Sequence, residues 1–255
     1  MSALLVMTLL AAPCPNRASW PTAEWPVGDL QAVRTSRAAE VKALEDYLFT
    51  LVGTDAERKG LRTDGLVIVK SGQIIYEAYA RSWSPSKRHI SWSVAKSFTT
   101  ALTGVAVAKG ALSIDDSICS YVDAREELCP ITVKNLMEFG SGMHWQESYE
   151  KQSYQYSSVI AMLFGEGRQD NTRFVLTHSK AHAPNQVFNY STGEAMLLSE
   201  VARQAGLKKG LDKDWFWSDF FDRVGMKSVV LEGDKLGAPG GGSYVFATPR
   251  DYARF

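Results

Sequence analysis

The sequence predicts a chain that combines α-helices with a β-hairpin, and three observations lead to this prediction. Residues 36–52 and 93–110 place apolar side chains at three- and four-residue spacing, the period of a helix with one buried face. Between them, the apolar runs 66–69 and 74–79 flank a Ser-Gly turn, a pattern typical of a β-hairpin. Helix, hairpin and helix therefore follow one another in the first half of the chain.

The second predicted helix carries a candidate nucleophile in its first turn. Ser93 and Lys96 lie three residues apart, so their side chains project from the same side of the helix. A serine hydroxyl attacks well only when a base removes its proton, and a lysine is such a base only when burial keeps it neutral. The apolar start of this helix suits that requirement, and we predict that Ser93 and Lys96 act as nucleophile and base.

The Ser-x-x-Lys motif is short, and the chain contains it three times. The copies that begin at Ser84 and Ser148 lie in polar, loop-like stretches, whereas the copy at Ser93 opens an apolar, periodic helix. A plainer alternative stays open for this copy: a serine in a first helical turn followed by a surface lysine.

The rest of the chain is predicted to be mainly helical. Residues 143–156 interrupt the helices with a polar, aromatic stretch, which we interpret as a long loop over a pocket, with Trp145 and Tyr149 as candidate substrate contacts. A surface loop with partly buried aromatic residues is the alternative. The predicted helices are 131–137, 158–164, 172–177, 195–205 and 215–224.

Two turns further along the chain are candidate functional elements. Tyr190 occupies a short polar turn before a helix, where a tyrosine can direct its hydroxyl into a cleft, although a structural tyrosine is the commoner case. The glycine-rich loop 236–244 lacks a following basic residue at the spacing of a phosphate-binding loop. We therefore predict no phosphate binding there.

Charge and histidine patterns argue against several classes of function. The 28 basic and 28 acidic residues balance, which removes a general argument for binding nucleic acid or an anionic membrane. His178 and His182 have a spacing that could share a metal ion, but no His-Glu pairing accompanies them and Pro184 follows at once. We predict neither a metal site nor a cofactor.

The beginning of the chain and its cysteines bear on location. An apolar start ending in small residues predicts a signal peptide at 1–18, although it lacks the usual basic residues, and a linker at 19–35. Cys119 and Cys129 flank a short acidic stretch. In an exported protein they could form a disulfide, whereas in the cytosol they are two ordinary thiols. The expected location is the periplasm or the exterior, with no stable membrane span.

Five segments occur in a fixed order along about residues 36–255. They are His-Ile-Ser-Trp-Ser-Val-Ala-Lys-Ser-Phe, Leu-Ser-Ile-Asp-Asp, Ile-Thr-Val-Lys-Asn-Leu-Met-Glu-Phe-Gly-Ser-Gly-Met, Phe-Asn-Tyr-Ser-Thr-Gly-Glu and Gly-Gly-Ser-Tyr-Val-Phe-Ala-Thr-Pro-Arg-Asp-Tyr-Ala-Arg-Phe. Together they resemble the serine β-lactamase and penicillin-binding-protein-like hydrolases. The greatest similarity is to the branch with class C β-lactamases, family VIII carboxylesterases and 6-aminohexanoate-dimer hydrolases.

The resemblance implies a fold and roles for three side chains. Ser93 matches the nucleophile that becomes acylated, Lys96 the group that accepts its proton, and Tyr190 the tyrosine of a Tyr-x-Asn motif that helps pass a proton to the leaving group. The backbone N–H of Ser93 would be one oxyanion donor. The implied α+β fold is an antiparallel sheet with flanking helices plus a helical domain. Residues 36–92 would begin the α/β domain, and 93–255 would form the nucleophile helix and helical domain.

Two departures from the family pattern shape the expected function. Thr192 stands where β-lactamases have an Asn that contacts the substrate amide, so Thr192 is a candidate substrate contact and β-lactam turnover is in doubt. The family's later strand, with the second oxyanion donor, would follow residue 255, so we expect a truncated chain without the C-terminal part of the sheet.

We expect a serine hydrolase that cleaves an ester or small amide through an acyl-enzyme. The alternatives are a D-alanyl-peptidase or β-lactamase, and a non-catalytic binding module of the same fold.

Overall fold

The chain forms two compact units, one that ends at Arg81 and one that begins at Ser82. Residues 82–92, which the sequence analysis assigned to the first part of the chain, belong to the second unit because His89 and Ile90 pair with a strand near its end. The predicted leader at 1–18 lies outside the described residues. The computed structural model describes residues 21, 23–54, 56–57, 59–149 and 156–255.

The described residues of the first unit form two helices and a β-hairpin. Positive φ angles at Ser71 and Gly72 close the two-residue turn of the antiparallel hairpin, which confirms the hairpin prediction. Within the predicted linker at 19–35, the Asp29 side chain accepts a hydrogen bond from the Ala32 N–H (2.8 Å) and starts a helix. The elements are α1 (Leu30–Ser36), α2 (Ala38–Phe49), β1 (Gly65–Lys70) and β2 (Gln73–Tyr79).

Arg34 joins the helices to the hairpin within this unit. Its guanidinium donates to Glu45 Oε1 (3.0 Å) and to the Glu77 carbonyl (3.0 Å), and it lies 4.7 Å from the centroid of the Tyr76 ring. The Tyr76 hydroxyl also donates to Glu45, and this bond, together with the bond and charge of Arg34, keeps the pKa of that carboxyl below its usual range.

The second unit is mainly helical and contains a small antiparallel sheet. In chain order its strands and α-helices are β3 (His89–Ile90), α3 (Ala95–Ala108), α4 (Val133–Met137), α5 (Ser158–Phe164), α6 (Asn171–Leu176), α7 (Thr192–Lys209), β4 (Val230–Leu231), β5 (Val245–Ala247) and α8 (Pro249–Tyr252). Strand β5 lies between β3 and β4. A 3₁₀ turn, Trp92–Val94, precedes α3, and a π-helical turn, Trp217–Phe221, follows α7. No described helix is both long and apolar enough to cross a membrane.

Helices α3 and α7 pack together in the core of this unit. The apolar face predicted for the Ser93 helix is confirmed at Phe98 and Leu102, which are buried, and Gly110 ends the helix with a φ of +64°. On α7, Gly206 admits the buried Trp215, because a Cβ there would lie 2.2 Å from its Nε1.

A disulfide joins Cys119 to Cys129 in the second unit. Ser117 Oγ donates to the carbonyl of Cys129 (2.7 Å), so the ends of the enclosed segment are also linked by a hydrogen bond. The segment contains two 3₁₀ turns, Ile118–Ser120 and Glu126–Leu128, whose Ile118 and Leu128 side chains are buried.

Candidate active site

Ser93 is exposed at the start of α3, just after strand β3. Ser91 attaches this point to β5, because its N–H donates to the Val245 carbonyl (2.7 Å) and its Oγ accepts from the Val245 N–H (3.3 Å). Trp92 then adopts a left-handed conformation with φ +45°, which is rare for a bulky residue and turns the chain into the helix. The Ser93 N–H lies in the first turn, where helix geometry provides no internal partner.

Lys96 follows Ser93 by one turn and is only 9% exposed. Its Nζ lies 3.2 Å from Ser93 Oγ, 2.9 Å from the Gly242 carbonyl O and 3.0 Å from Thr192 Oγ1. Burial disfavours the ammonium and lowers the pKa of Lys96 to about 8, whereas the nearby Glu147 carboxylate opposes that decrease. The lowered pKa makes a neutral amine beside the serine hydroxyl easier to populate near neutral pH than for an exposed lysine.

The glycine-rich loop brings its carbonyl close to Lys96 because its residues have no side chains. A Cβ at Gly241 would lie 2.3 Å from Thr99 Oγ1, and one at Gly242 would lie 2.8 Å from the Thr192 carbonyl O. Thr99 Oγ1 also donates to the Gly241 carbonyl (2.7 Å). The glycines thus allow the loop to approach α3 and α7 at the buried lysine.

Tyr190 lies with its ring against the amine of Lys96. The Nζ atom is 4.9 Å from the ring centroid, and the Phe139 ring lies 5.1 Å from that of Tyr190. Among the described residues, the hydrogen bonds of Lys96 go to Ser93, Thr192 and Gly242 and not to the Tyr190 hydroxyl. The structure therefore brings Tyr190 to the site through its ring, and its part in proton transfer stays a prediction.

Glu147 forms hydrogen bonds with all three predicted substrate contacts, Trp145, Tyr149 and Thr192. The sequence did not single out Glu147 as a site residue. Its Oε1 accepts from the Tyr149 hydroxyl (2.7 Å) and from Thr192 Oγ1. Its Oε2 accepts from Trp145 Nε1 (2.6 Å) and from the Thr192 N–H (2.9 Å). The alternation of Trp145, Glu147 and Tyr149 is a signal that could have found it, because alternate residues of an extended segment point to the same side.

The structure buries Trp145 and Thr192, two of the three predicted substrate contacts, and their part in substrate binding stays a prediction. Trp145 is 5% exposed and packs on Gly193, where an added Cβ would lie 2.6 Å from the indole ring. Thr192 is fully buried. Because the indole N–H and the Thr192 hydroxyl both bond to Glu147, these side chains support the site from inside the protein. Tyr149 is 54% exposed, and its part as a substrate contact stays a prediction.

The described ranges contain no group of three or more His, Cys, Asp or Glu side chains suited to a metal ion. His178, one of the two predicted candidate ligands, forms hydrogen bonds with partly buried neighbours. Its Nδ1 lies 3.0 Å from the Phe174 carbonyl O, and its Nε2 lies 3.2 Å from Ser158 Oγ. Burial lowers the pKa of His178, which favours a neutral ring with both nitrogens in hydrogen bonds.

The chain belongs to the Beta-lactamase family, because the model of that family matches residues 48–255. The resemblance to serine β-lactamase and penicillin-binding-protein-like hydrolases is thereby confirmed. No curated protein matches the chain at a significant level.

Several solved structures share the fold. A protein from Bacillus anthracis classed with 6-aminohexanoate-dimer hydrolases has a TM-score of 0.62 and 21% identity, over 75% of this chain and 52% of its own. An octameric penicillin-binding protein homologue from Pyrococcus abyssi has a TM-score of 0.56 and 19% identity, over 89% and 55%. A β-lactamase/D-alanine carboxypeptidase from Pseudomonas syringae has a TM-score of 0.55 and 18% identity, over 89% and 64%.

These similarities concern the fold alone, and they confirm the predicted α+β, β-lactamase-like architecture. The chain covers 52%, 55% and 64% of the lengths of these three proteins, respectively.

Proposed function

We propose that the protein is a serine hydrolase that cleaves an ester or small amide through an acyl-enzyme on Ser93. The observation that carries the proposal is the buried Lys96, whose Nζ lies 3.2 Å from Ser93 Oγ and whose pKa is lowered to about 8. A neutral amine at that distance is within reach of the hydroxyl proton. Membership of the Beta-lactamase family supports the same class of reaction.

In the proposed acylation, neutral Lys96 takes the proton of Ser93 Oγ as that oxygen bonds to the substrate carbonyl carbon. The negative charge that develops on the carbonyl oxygen is stabilised by the Ser93 N–H and by the positive end of the helix dipole. The proton passes to the leaving alcohol or amine as the C–O or C–N bond breaks, and Tyr190 assists this transfer. Water then hydrolyses the acyl-serine, which releases the acid and restores Ser93.

The test is acylation of the purified protein by a fluorophosphonate, together with hydrolysis of a p-nitrophenyl ester. Ser93→Ala should abolish both, whereas Ser97→Ala, an exposed serine one turn further along α3, should leave both unchanged. Lys96→Ala and Tyr190→Phe should lower hydrolysis by about 10²–10⁴-fold, the usual contribution of a positioned proton acceptor. Wild-type turnover in Ser93→Ala would show that the assignment is wrong.

The pH dependence of acylation is a second arm of this test. Only neutral Lys96 can accept a proton, so the rate should rise with pH and level off above the lysine pKa of about 8. A rate that stays constant from pH 6 to 9 would contradict Lys96 as the base.

A β-lactamase or D-alanyl-peptidase is the alternative within the same chemistry. The Thr192 N–H and hydroxyl are both bonded to Glu147, so they do not provide the substrate-amide contact that the family's Asn implies. We therefore expect faster cleavage of p-nitrophenyl esters than of a chromogenic cephalosporin or a D-Ala-D-Ala peptide. The reverse order would favour this alternative, and the absence of any acylation at Ser93 would favour a binding module.

We also propose that the protein is exported to the periplasm or the exterior. The leader-like sequence at 1–18 and the Cys119–Cys129 disulfide support this location. Alkylation of thiols in intact cells before lysis should leave both cysteines unmodified. Alkylated Cys119 and Cys129 would instead indicate a reducing compartment.

A further inference from the structure

The hydrogen bonds around Lys96 lead through Thr192 to Glu147. Lys96 Nζ lies 3.0 Å from Thr192 Oγ1, and the same oxygen is hydrogen-bonded to Glu147 Oε1. A threonine hydroxyl has one proton to donate, whereas an ionised carboxylate only accepts. The Thr192 proton therefore points to Glu147, and Thr192 Oγ1 accepts a hydrogen bond from Lys96.

A second partner of Lys96 Nζ is the backbone carbonyl oxygen of Gly242 at 2.9 Å, which can only accept a hydrogen bond. A neutral lysine amine has two N–H groups and one lone pair. With the two N–H groups bonded to Thr192 and Gly242, the lone pair is directed to the third neighbour, Ser93 Oγ at 3.2 Å. We propose that Glu147 is a positioning residue that sets this orientation of Lys96. The inference rests on the proposed function of Ser93.

Thr192 would have a second choice of acceptor if the carboxylate were absent. Its hydroxyl could donate to the lone pair of neutral Lys96, in competition with the hydroxyl of Ser93. A hydrogen bond to an ionised carboxylate is about twice as strong as a neutral one, so Glu147 keeps the Thr192 proton away from the amine. After Lys96 takes the proton, its three N–H groups meet the same three oxygens, so the network is satisfied before and after the transfer.

Glu147 also acts on the charge of Lys96. Among the described residues, its carboxylate is the charged group that raises the pKa of Lys96 against the larger effect of burial. The neutral Glu147→Gln side chain removes this charge, so the ammonium becomes less stable. The groups that face Lys96 from the elements packed around it are Ser93, the Tyr190 ring, Thr192 and the Gly242 carbonyl.

The experiment measures the pKa of Lys96 directly and does not depend on turnover. The purified protein is labelled with ¹³C at the lysine Cε atoms, and the Lys96 signal is assigned by its loss in Lys96→Met. Glu147→Gln should lower the pKa of Lys96 by about 1, because an opposite charge within a few ångströms is lost. Glu127→Gln, which neutralises an exposed carboxylate in the disulfide-closed segment, should leave that pKa unchanged.

Two Thr192 variants test the link itself and provide a matched pair if Glu147→Gln does not fold. Thr192→Val keeps the shape but removes the oxygen that accepts from Lys96, so it should lower the lysine pKa. Thr192→Ser keeps the hydroxyl and should return the pKa toward the wild-type value. In Glu147→Gln, the pH profile of fluorophosphonate acylation should shift to lower pH. The acylation rate on its alkaline plateau should fall roughly tenfold, because the lone pair of Lys96 Nζ is no longer held toward Ser93 Oγ.

The outcomes separate this inference from the proposed function. An unchanged lysine pKa in Glu147→Gln and Thr192→Val would overturn the inference whether or not Ser93 reacts. A lowered pKa with an unchanged plateau rate in Glu147→Gln would overturn the positioning role. Failure of the wild-type protein to acylate at Ser93, by contrast, would remove the proposed function, and the positioning role would fall with it.

Discussion

Replacing Lys96 by methionine tests how much stability the protein loses by burying this lysine. The pKa of the lysine falls from 10.5, its ordinary value, to about 8 in the folded protein because the side chain is desolvated. One pKa unit corresponds to about 1.4 kcal/mol, so holding Lys96 charged costs the folded state about 3 kcal/mol. Methionine keeps an apolar stem of similar length and carries no charge.

The cost of burial depends on pH in a definite direction. Well below pH 8, Lys96 is protonated in the folded and unfolded chains, and the cost is fully present. Between pH 8 and 10.5 the unfolded chain binds more protons, so wild-type stability rises with pH, and above 10.5 the cost is gone. The unfolding free energy of the wild type minus that of Lys96→Met should therefore increase by about 3 kcal/mol across this window.

At pH 7 the variant should be at least as stable as the wild type, although inactive. The lost bonds to Gly242 and Thr192 offset part of the gain, at about 1 kcal/mol each. Urea unfolding followed by tryptophan fluorescence at pH 7, 8, 9 and 10 measures the difference, with Lys134→Met as a control for an exposed lysine. A difference between wild type and Lys96→Met that does not change from pH 7 to 10 would refute the reasoning.

Two further predictions concern the framework that holds the site. Gly206→Ala should destabilise the protein by about 1–3 kcal/mol in thermal unfolding, because its Cβ would lie 2.2 Å from Trp215 Nε1. Gly104→Ala, in α3 with nothing within 4 Å of the added Cβ, should instead stabilise the protein by about 0.5–1 kcal/mol. A change of unfolding free energy with the same sign in both variants would contradict this packing. The Cys119→Ser/Cys129→Ser double variant should have a free energy of unfolding about 3 kcal/mol lower, because the disulfide no longer closes a loop with a sequence separation of 10 in the unfolded chain. Acylation of Ser93 should stay unchanged in this variant.

Features that depend on neighbours in the sequence were predictable from it. The three-residue spacing of Ser93 and Lys96 already places both side chains on one side of a helix, and the apolar period around them locates that helix. The Ser71-Gly72 turn between two apolar runs likewise specifies the hairpin, because positive φ angles at these residues suit its tight turn. The ordered motifs were enough to indicate the family.

The chemical state of Lys96 was decided by residues far away in the chain. Thr192 and Gly242, which bond its amine, lie 96 and 146 residues from it. No spacing or periodicity in the sequence connects these positions, or connects them to Glu147, which is hydrogen-bonded to Thr192.

The burial of Trp145 and Thr192 also depends on residues that are distant in the sequence. An aromatic residue in a polar stretch and a threonine in a family motif look accessible in the sequence, but the tertiary structure buries both beneath neighbouring elements. The sequence by itself determined the helix and the positions of Ser93 and Lys96, one turn apart at its start. Only the packing of α3, α7 and the glycine-rich loop decided that water is largely excluded from Lys96. This exclusion of water is the physical reason why the pKa of Lys96 falls, as its proposed role as a base requires.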